Sequence, residues 1–172
     1  ERLRRLLTAA LLASDAEVKR DEASGRWLAH GDPTEAALVV AAGKAGLRRA
    51  DLGVTHPRVQ EVPFSAETKR MTTLHRTATG TVAFGKGAPE PILDSCTALM
   101  GPDGERPMDD AARAGILAAA RSMAEQAMRV LAVAARTSAT LDNCERDLTL
   151  LGLVGMTDPP RPEVPAALAE CA

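Results

Sequence analysis

Two adjacent segments constrain this chain more than any other feature: RMTTLHRT (70–77) and TVAFGKG (81–87). Both are rich in β-branched residues, and Ala78-Thr79-Gly80 between them supplies a turn that ends on glycine. That is the pattern of a β-hairpin, so the chain must build a sheet. More strands are visible around it. VQEVPF (59–64) reads as a strand with Pro63 near its end, and WLAH (27–30) as a short one. RVLAVAAR (129–136) and DLTLLGLVGMT (147–157) read as two further strands. The last is nearly uniform in apolar residues, which predicts burial on both faces.

Helical signals interrupt the strands. Residues 2–13 form an amphipathic pattern that stops at Ser14-Asp15. In GDPTEAALVVAAGKAG, Asp32 suits the N-cap and Pro33 the first helical position, and Glu35 falls three residues on, in the place of a capping box. Gly43 or Gly46 ends that helix. A short helix follows in PEPILDSC, a longer one runs from Asp109 or Asp110 to about Met128, and another begins within 163–172. Asp15 to Arg26 and GPDGERP (101–107) read as loops, and DPPRPEVP as a rigid connector. Hairpins and helices are mixed rather than strictly alternating. The fold class is therefore α+β, with a mainly antiparallel twisted sheet and helices packed on it.

Composition removes several functions. With 172 residues, a single domain with a short extension is expected. Aromatic residues make up 2% and Tyr is absent, so the core must be aliphatic. A net charge of -2 argues against a nucleic-acid binder driven by bulk charge. The apolar runs fall far short of the roughly 20 residues that span a bilayer. Cys96, Cys144 and Cys171 form no CxxC pair, and His30, His56 and His75 form no HExxH, so no metal site is expected. The two commonest phosphate loops are missing as well. Gly43-Lys44 is followed by Ala45, so there is no GxxxxGK[ST], and GKGAPE ends in Glu90 where GxGxxG needs glycine.

Several residues carry two readings. Phe64, beside Pro63 at a strand end, is either core packing or a platform for a planar base, which stacks at about 1–3 kcal/mol. Lys69 and Arg70, at the turn into the hairpin, read as a solvated charge pair, and Lys69 is a compact cation of the kind that suits a triphosphate. Lys86, between Gly85 and Gly87, reads as a turn lysine or as part of a ligand site that needs close backbone approach. Glu35 completes a capping box. Arg129 opens an apolar strand, where an arginine caps the sheet edge or pairs with a carboxylate.

Taken in order, GDPTE (31–35), PFSAETKRM (63–71), FGKGAPE (84–90), MRVLAVA (128–134) and DPPRPEV (158–164) resemble the nucleotide-binding domain of P-type cation-transporting ATPases, most closely the calcium-pump-like (P2) branch. KGAPE and DPPRPEV are each fairly specific, the ordered set is highly so, and the resemblance runs from about residue 2 to the C-terminus. It implies an ATP site. Phe64 would stack on adenine, Glu35 would accept from its amino group, and Met71 and Leu131 would wall the purine. Lys86 would lie at the bottom of the pocket, and Lys69 and Arg129 would approach the phosphates. Ser65 and Gly87 complete the implied ATP-binding set.

The resemblance also implies an organisation. Residues 1–157 would be the nucleotide-binding domain without its first strands, and 158–172 the hinge and start of the phosphorylation domain. Asp158, Pro159, Pro160 and Arg161 would form the hinge. No Asp-Lys dipeptide, TGD or GDGxND occurs, so no catalytic residue is assigned. The chain is expected to be a soluble, monomeric piece of the cytoplasmic part of an integral membrane pump. Its partners would be ATP, with Mg²⁺ in the intact pump, and the phosphorylation and actuator domains. A piece of this kind would bind ATP without hydrolysing it. Two other readings stand beside it: an interaction module of the same fold that has lost the nucleotide, and a self-sufficient nucleotide hydrolase. Phe64, Lys69, Lys86 and Arg129 together count against the first. The missing phosphoacceptor and P-loop count against the second.

Overall fold

The computed structural model describes residues 1–158 together with 164, 169 and 170. Pro159, Pro160 and Arg161 of the expected hinge, and most of the helix expected at 163–172, lie outside the described residues.

The chain opens with α1 (Arg2–Leu12), followed by a two-stranded ribbon of β1 (Glu17–Arg20) and β2 (Trp27–His30). Next come α2 (Pro33–Lys44), α3 (Arg49–Thr55), β3 (Arg58–Ser65), β4 (Arg70–Thr77) and β5 (Gly80–Gly87). Then follow α4 (Pro89–Asp94), β6 (Cys96–Gly101), β7 (Gly104–Pro107), α5 (Asp110–Glu125), β8 (Arg129–Thr137) and β9 (Leu148–Met156). Seven strands form one sheet in the order β3-β4-β5-β8-β9-β6-β7. Its pairs are antiparallel apart from β6 with β9. The β4–β5 hairpin keeps an unbroken register from Arg70↔Gly87 to Thr77↔Gly80.

Helices cover both faces. Ala9, Ala10, Leu12 and Ala13 of the first helical segment join Leu38 of α2, Phe84 of β5 and Val133 of β8 in one cluster. On the other face Ile92 and Leu93 of α4 pack with Ala132, Ala134, Leu148 and Leu150, and Ile116 and Leu117 of α5 close over them. The core is aliphatic, as the composition requires. Phe84 is buried, whereas Trp27 and Phe64 are 70% and 63% exposed.

The local helix signals are met. Asp32 accepts from the Glu35 amide at 3.1 Å, and Asp109 accepts from the Ala112 amide at 2.7 Å. Of the two glycines that could end α2, Gly46 does so. It has φ +75°, and the bonds Leu47 N–H to Ala42 O and Gly46 N–H to Gly43 O, both 3.0 Å, form a Schellman motif.

Five elements depart from the sequence reading. The stretch 15–26 contains β1, because its pairing with β2 is completed across a polar turn. GPDGERP contains β7, which pairs with β6 through Gly101↔Gly104, with Gly104 at φ +124°. The short α3 and β6 carry no strong local signal. Finally, β9 is buried on both faces only through Leu148–Leu151 and opens towards Gly155.

Among the described residues, no helix is long and apolar enough to cross a membrane, and no group of three or more His, Cys, Asp and Glu side chains could hold a metal ion.

Candidate functional site

The expected site residues collect at one end of the sheet, where β3 and β5 end and β4 and β8 begin. Register explains this. Met71 on β4 pairs with Lys86 on β5, and Lys86 pairs with Val133 on β8, so their side chains share one face. Leu131, two residues before Val133, lies on the same face and packs against the α1-side core.

Lys86 is not a turn lysine. It lies inside the sheet and is 6% exposed. Its ammonium donates to the Ala13 carbonyl and, at 2.6 Å, to Glu35 Oε1, and lies 2.8 Å from Met71 Sδ. Burial pushes its pKa down from the usual value, while the hydrogen bond and charge of Glu35 work the other way.

Glu35 uses its other oxygen to accept from the amides of Asp15 at 2.7 Å and Ala16 at 2.9 Å. Only half of the expected capping box therefore forms. Asp32 caps α2, but the Glu35 side chain turns away to tie α2 to the segment after α1. Partial burial disfavours the Asp32 carboxylate, yet the Glu35 amide, Thr34 and the charge of Arg129 together hold its pKa below the ordinary value. Arg129 is the exposed first residue of β8, opposite Met156, and makes no ion pair among the described residues.

Phe64 is at the surface, so the core-packing reading does not hold; Phe84 fills the core instead. Around Phe64 the β3–β4 register jumps from Val62↔Thr72 to Ser65↔Arg70, leaving Pro63 and Phe64 opposite Met71 alone. This bulge places the exposed Phe64 opposite the buried Met71, which pairs in turn with Lys86.

Ser65 stabilises the next turn. Its hydroxyl accepts from the Glu67 amide at 3.1 Å, and its carbonyl accepts from the Lys69 amide at 2.7 Å. Lys69 is exposed at φ +51°. Gly87 serves the same turn: a Cβ there would sit 2.4 Å from the Lys69 carbonyl oxygen. The close approach expected of this glycine is therefore to the chain's own backbone.

The sequence reading mistook one arginine and missed two. Arg70 is no solvated partner of Lys69; it bonds Ser95 and Glu145. Arg49 donates to the carbonyls of Leu11 and Ala16, and Arg58 to those of Leu12 and Ser14. With Lys86 on Ala13, three cations thus neutralise the C-terminal end of α1, where the helix dipole is negative. No local pattern could have revealed these contacts, which span 33 to 73 residues of sequence.

A cavity of about 540 Å³ lies at the opposite end of the sheet, lined by Arg4, Thr77, Thr81, Thr137 and Ser138 among others. Volume does not mark the candidate site. Its signature is a buried lysine–carboxylate pair at the same end of the sheet as an exposed ring and exposed cations.

A profile describing the cytoplasmic domain N of P-type ATPases matches residues 2–163. This chain belongs to that family. The mainly antiparallel sheet with helices on its faces is the N-domain fold that the motifs imply. The probable cation-transporting ATPase F of Mycobacterium tuberculosis is 42% identical over 176 residues, covering 98% of this chain and 19% of the relative. The calcium-transporting ATPase 1 of Bacillus cereus is 34% identical over 172 residues, with the same 98% and 19% coverage. The cation-transporting ATPase pma1 of Synechocystis is 35% identical over 175 residues. The N domain described here thus spans 19% of the length of these relatives.

Proposed function

We propose that this N domain binds ATP by its adenine at the Phe64–Met71–Lys86 end of the sheet. Within a complete cation pump it would offer the γ-phosphate to an aspartate of the phosphorylation domain, in concert with the actuator domain. The observation that carries the reading is the exposure of Phe64. Trp27 is exposed as well, on the separate β1–β2 ribbon, but Phe64 is the ring at the bulge opposite Met71, whose strand partner is the buried, carboxylate-paired Lys86. A flat apolar ring at a polar rim suits a purine. Glu35 keeps acceptor capacity for an exocyclic amine, and Lys69 and Arg129 supply positive charge on the phosphate side. The described residues offer no carboxylate cluster for a metal, so Mg²⁺ would arrive with the phosphates of ATP rather than on this domain. Transport of calcium or another cation would belong to the complete pump.

The test is a titration of the 172-residue chain with ATP, ADP and adenosine, followed by backbone amide shifts. Expected are shifts clustered around Phe64, Lys69, Lys86 and Glu35, and an affinity of about 0.1 to several mM, since a base pocket and a few cations supply roughly 3–5 kcal/mol. ADP should bind nearly as well as ATP, and neither should be hydrolysed. Absence of any shift at about 10 mM ATP would favour the interaction module. Sustained phosphate release abolished by Phe64→Ala would favour the self-sufficient hydrolase.

A further inference from the structure

Lys69 is held by more than its own turn. Its left-handed φ is unfavourable for a residue with a Cβ, so surrounding contacts must impose it. Its amide is tied to Ser65, and its carbonyl accepts from the Ala88 amide at 3.0 Å. The third constraint is the next residue. The Arg70 guanidinium donates through Nη1 to Ser95 Oγ at 2.5 Å and to the Pro91 carbonyl at 3.3 Å. Through Nη2 it donates to Glu145 Oε2 at 3.0 Å, and Glu145 Oε1 accepts from Thr72 Oγ1 at 3.0 Å. The two charged side chains are only 20% and 21% exposed. Opposite Arg70 stands Gly87, whose Cα passes so close that a Cβ would lie 2.7 Å from that of Arg70. The backbone at residue 70 is therefore clamped from both sides, and the exposed Lys69 departs from that fixed point.

The charges are arranged to match. Glu145 neutralises Arg70 within the fold, so Arg70 adds little free positive potential at the rim. Lys69 is left as the cation of this turn that faces solvent. A long side chain on a fixed backbone loses less freedom on meeting an anion than one on a loose loop.

We propose that Arg70 and Glu145 are positioning residues that set the backbone from which Lys69 meets the phosphates of the bound nucleotide. The proposal rests on the reading of Lys69 as a phosphate-side cation. It predicts that the pair governs affinity for the charged part of the ligand, although neither residue touches it.

The experiment compares Glu145→Gln, Arg70→Lys, Lys69→Ala and the double variant Lys69→Ala/Glu145→Gln in the 172-residue chain. Affinities for ATP and adenosine are measured by amide shifts at low ionic strength, and adenosine binding reports an intact fold. Glu145→Gln and Arg70→Lys should each weaken ATP about two- to fivefold, no more than Lys69→Ala itself, and leave adenosine within about twofold. In the Lys69→Ala background, Glu145→Gln should weaken ATP no further. If Lys69→Ala spares ATP, the phosphate-side reading of Lys69 is wrong and the proposal goes with it. If Lys69→Ala weakens ATP but Glu145→Gln and Arg70→Lys do not, the positioning role alone is overturned. It is also overturned if both ligands weaken together, or if Glu145→Gln acts equally with and without Lys69.

Discussion

Lys86 and Lys69 are cations at the same end of one sheet, built in opposite ways. Lys86 is buried, with its ammonium engaged by Ala13, Glu35 and Met71. Lys69 stands exposed on a left-handed turn, and its side chain makes no hydrogen bond or ion pair among the described residues. The contrast separates two kinds of site residue. A buried ion pair adds little net stability, because desolvation offsets attraction, yet removing one member strands the other. An exposed lysine can leave without disturbing its neighbours. The floor of the candidate site is thus part of the fold, while the rim is only carried by it. Loss of a floor residue should be read in stability, and loss of a rim residue in binding.

The largest effect is expected at the floor. Lys86→Ala leaves the Glu35 carboxylate without its counter-charge and the Ala13 carbonyl without its donor. The N domain should lose about 3–5 kcal/mol of stability, seen as a lower urea midpoint with an unchanged slope. A midpoint shift worth less than about 0.5 kcal/mol would mean that Lys86 is no more integral than Lys69, and the comparison would fail.

The rim gives the next effect. Phe64→Ala should cost about 1–3 kcal/mol in affinity for both ATP and adenosine, because the stacked base is common to both. Stability should stay within about 0.5 kcal/mol, as for other exposed positions. A variant that melts much earlier would show that the ring packs against the protein after all.

A smaller loss is expected at Lys69, where the comparison becomes sharpest. Lys69→Ala should weaken ATP by roughly 1 kcal/mol at low salt and by less in about 0.5 M salt, where screening shortens the reach of a surface charge. Adenosine should bind as before. Equal losses for the two ligands would place this lysine at the base rather than at the phosphates.

The two halves of the site were not equally legible. The β4–β5 hairpin and the Asp32 cap are local: the turn occupies only Ala78 and Thr79, and the cap bond reaches from residue 32 to 35. Glu35 shows the limit of local reading. Its position announces a capping box, but its carboxylate is drawn to amides 19 and 20 residues earlier and to Lys86, 51 residues later. GKG likewise looks like a turn until pairing with Met71 and Val133 places Lys86 in mid-sheet. Phe64 carried two readings that only exposure could separate. The Arg70–Glu145 pair, 75 residues apart, has no local trace at all. Motif order pointed to the candidate site, whereas tertiary contacts decide which of its residues are buried and which are exposed.

The last and smallest effect tests whether the buried half of the site responds to pH while binding does not. His75 lies on the same face of β4 as Met71 and is 1% exposed. Its Nδ1 lies 2.9 Å from the His56 carbonyl, which can only accept, so Nδ1 carries the proton and Nε2 accepts from Thr73 Oγ1 at 2.9 Å. Its ring also packs on Phe84, with centroids 5.4 Å apart. Burial lowers its pKa from the ordinary 6.5; the bond to His56 opposes this, and the charges of Arg58 and His56 add to the lowering. The unfolded chain therefore takes up this proton first. Stability from His75 is complete above about pH 6.5 and is lost as pH falls through the lower folded pKa. Linkage limits the loss at pH 6 to about 0.8 kcal/mol for one proton. Urea unfolding between about pH 7.5 and 6.0 should show a decline that His75→Gln removes. Adenosine affinity, measured over the same interval, should not change. A decline that persists in His75→Gln would assign the titration to another group, and a parallel fall in adenosine affinity would tie the base pocket to the histidine and dissolve the separation of floor from rim.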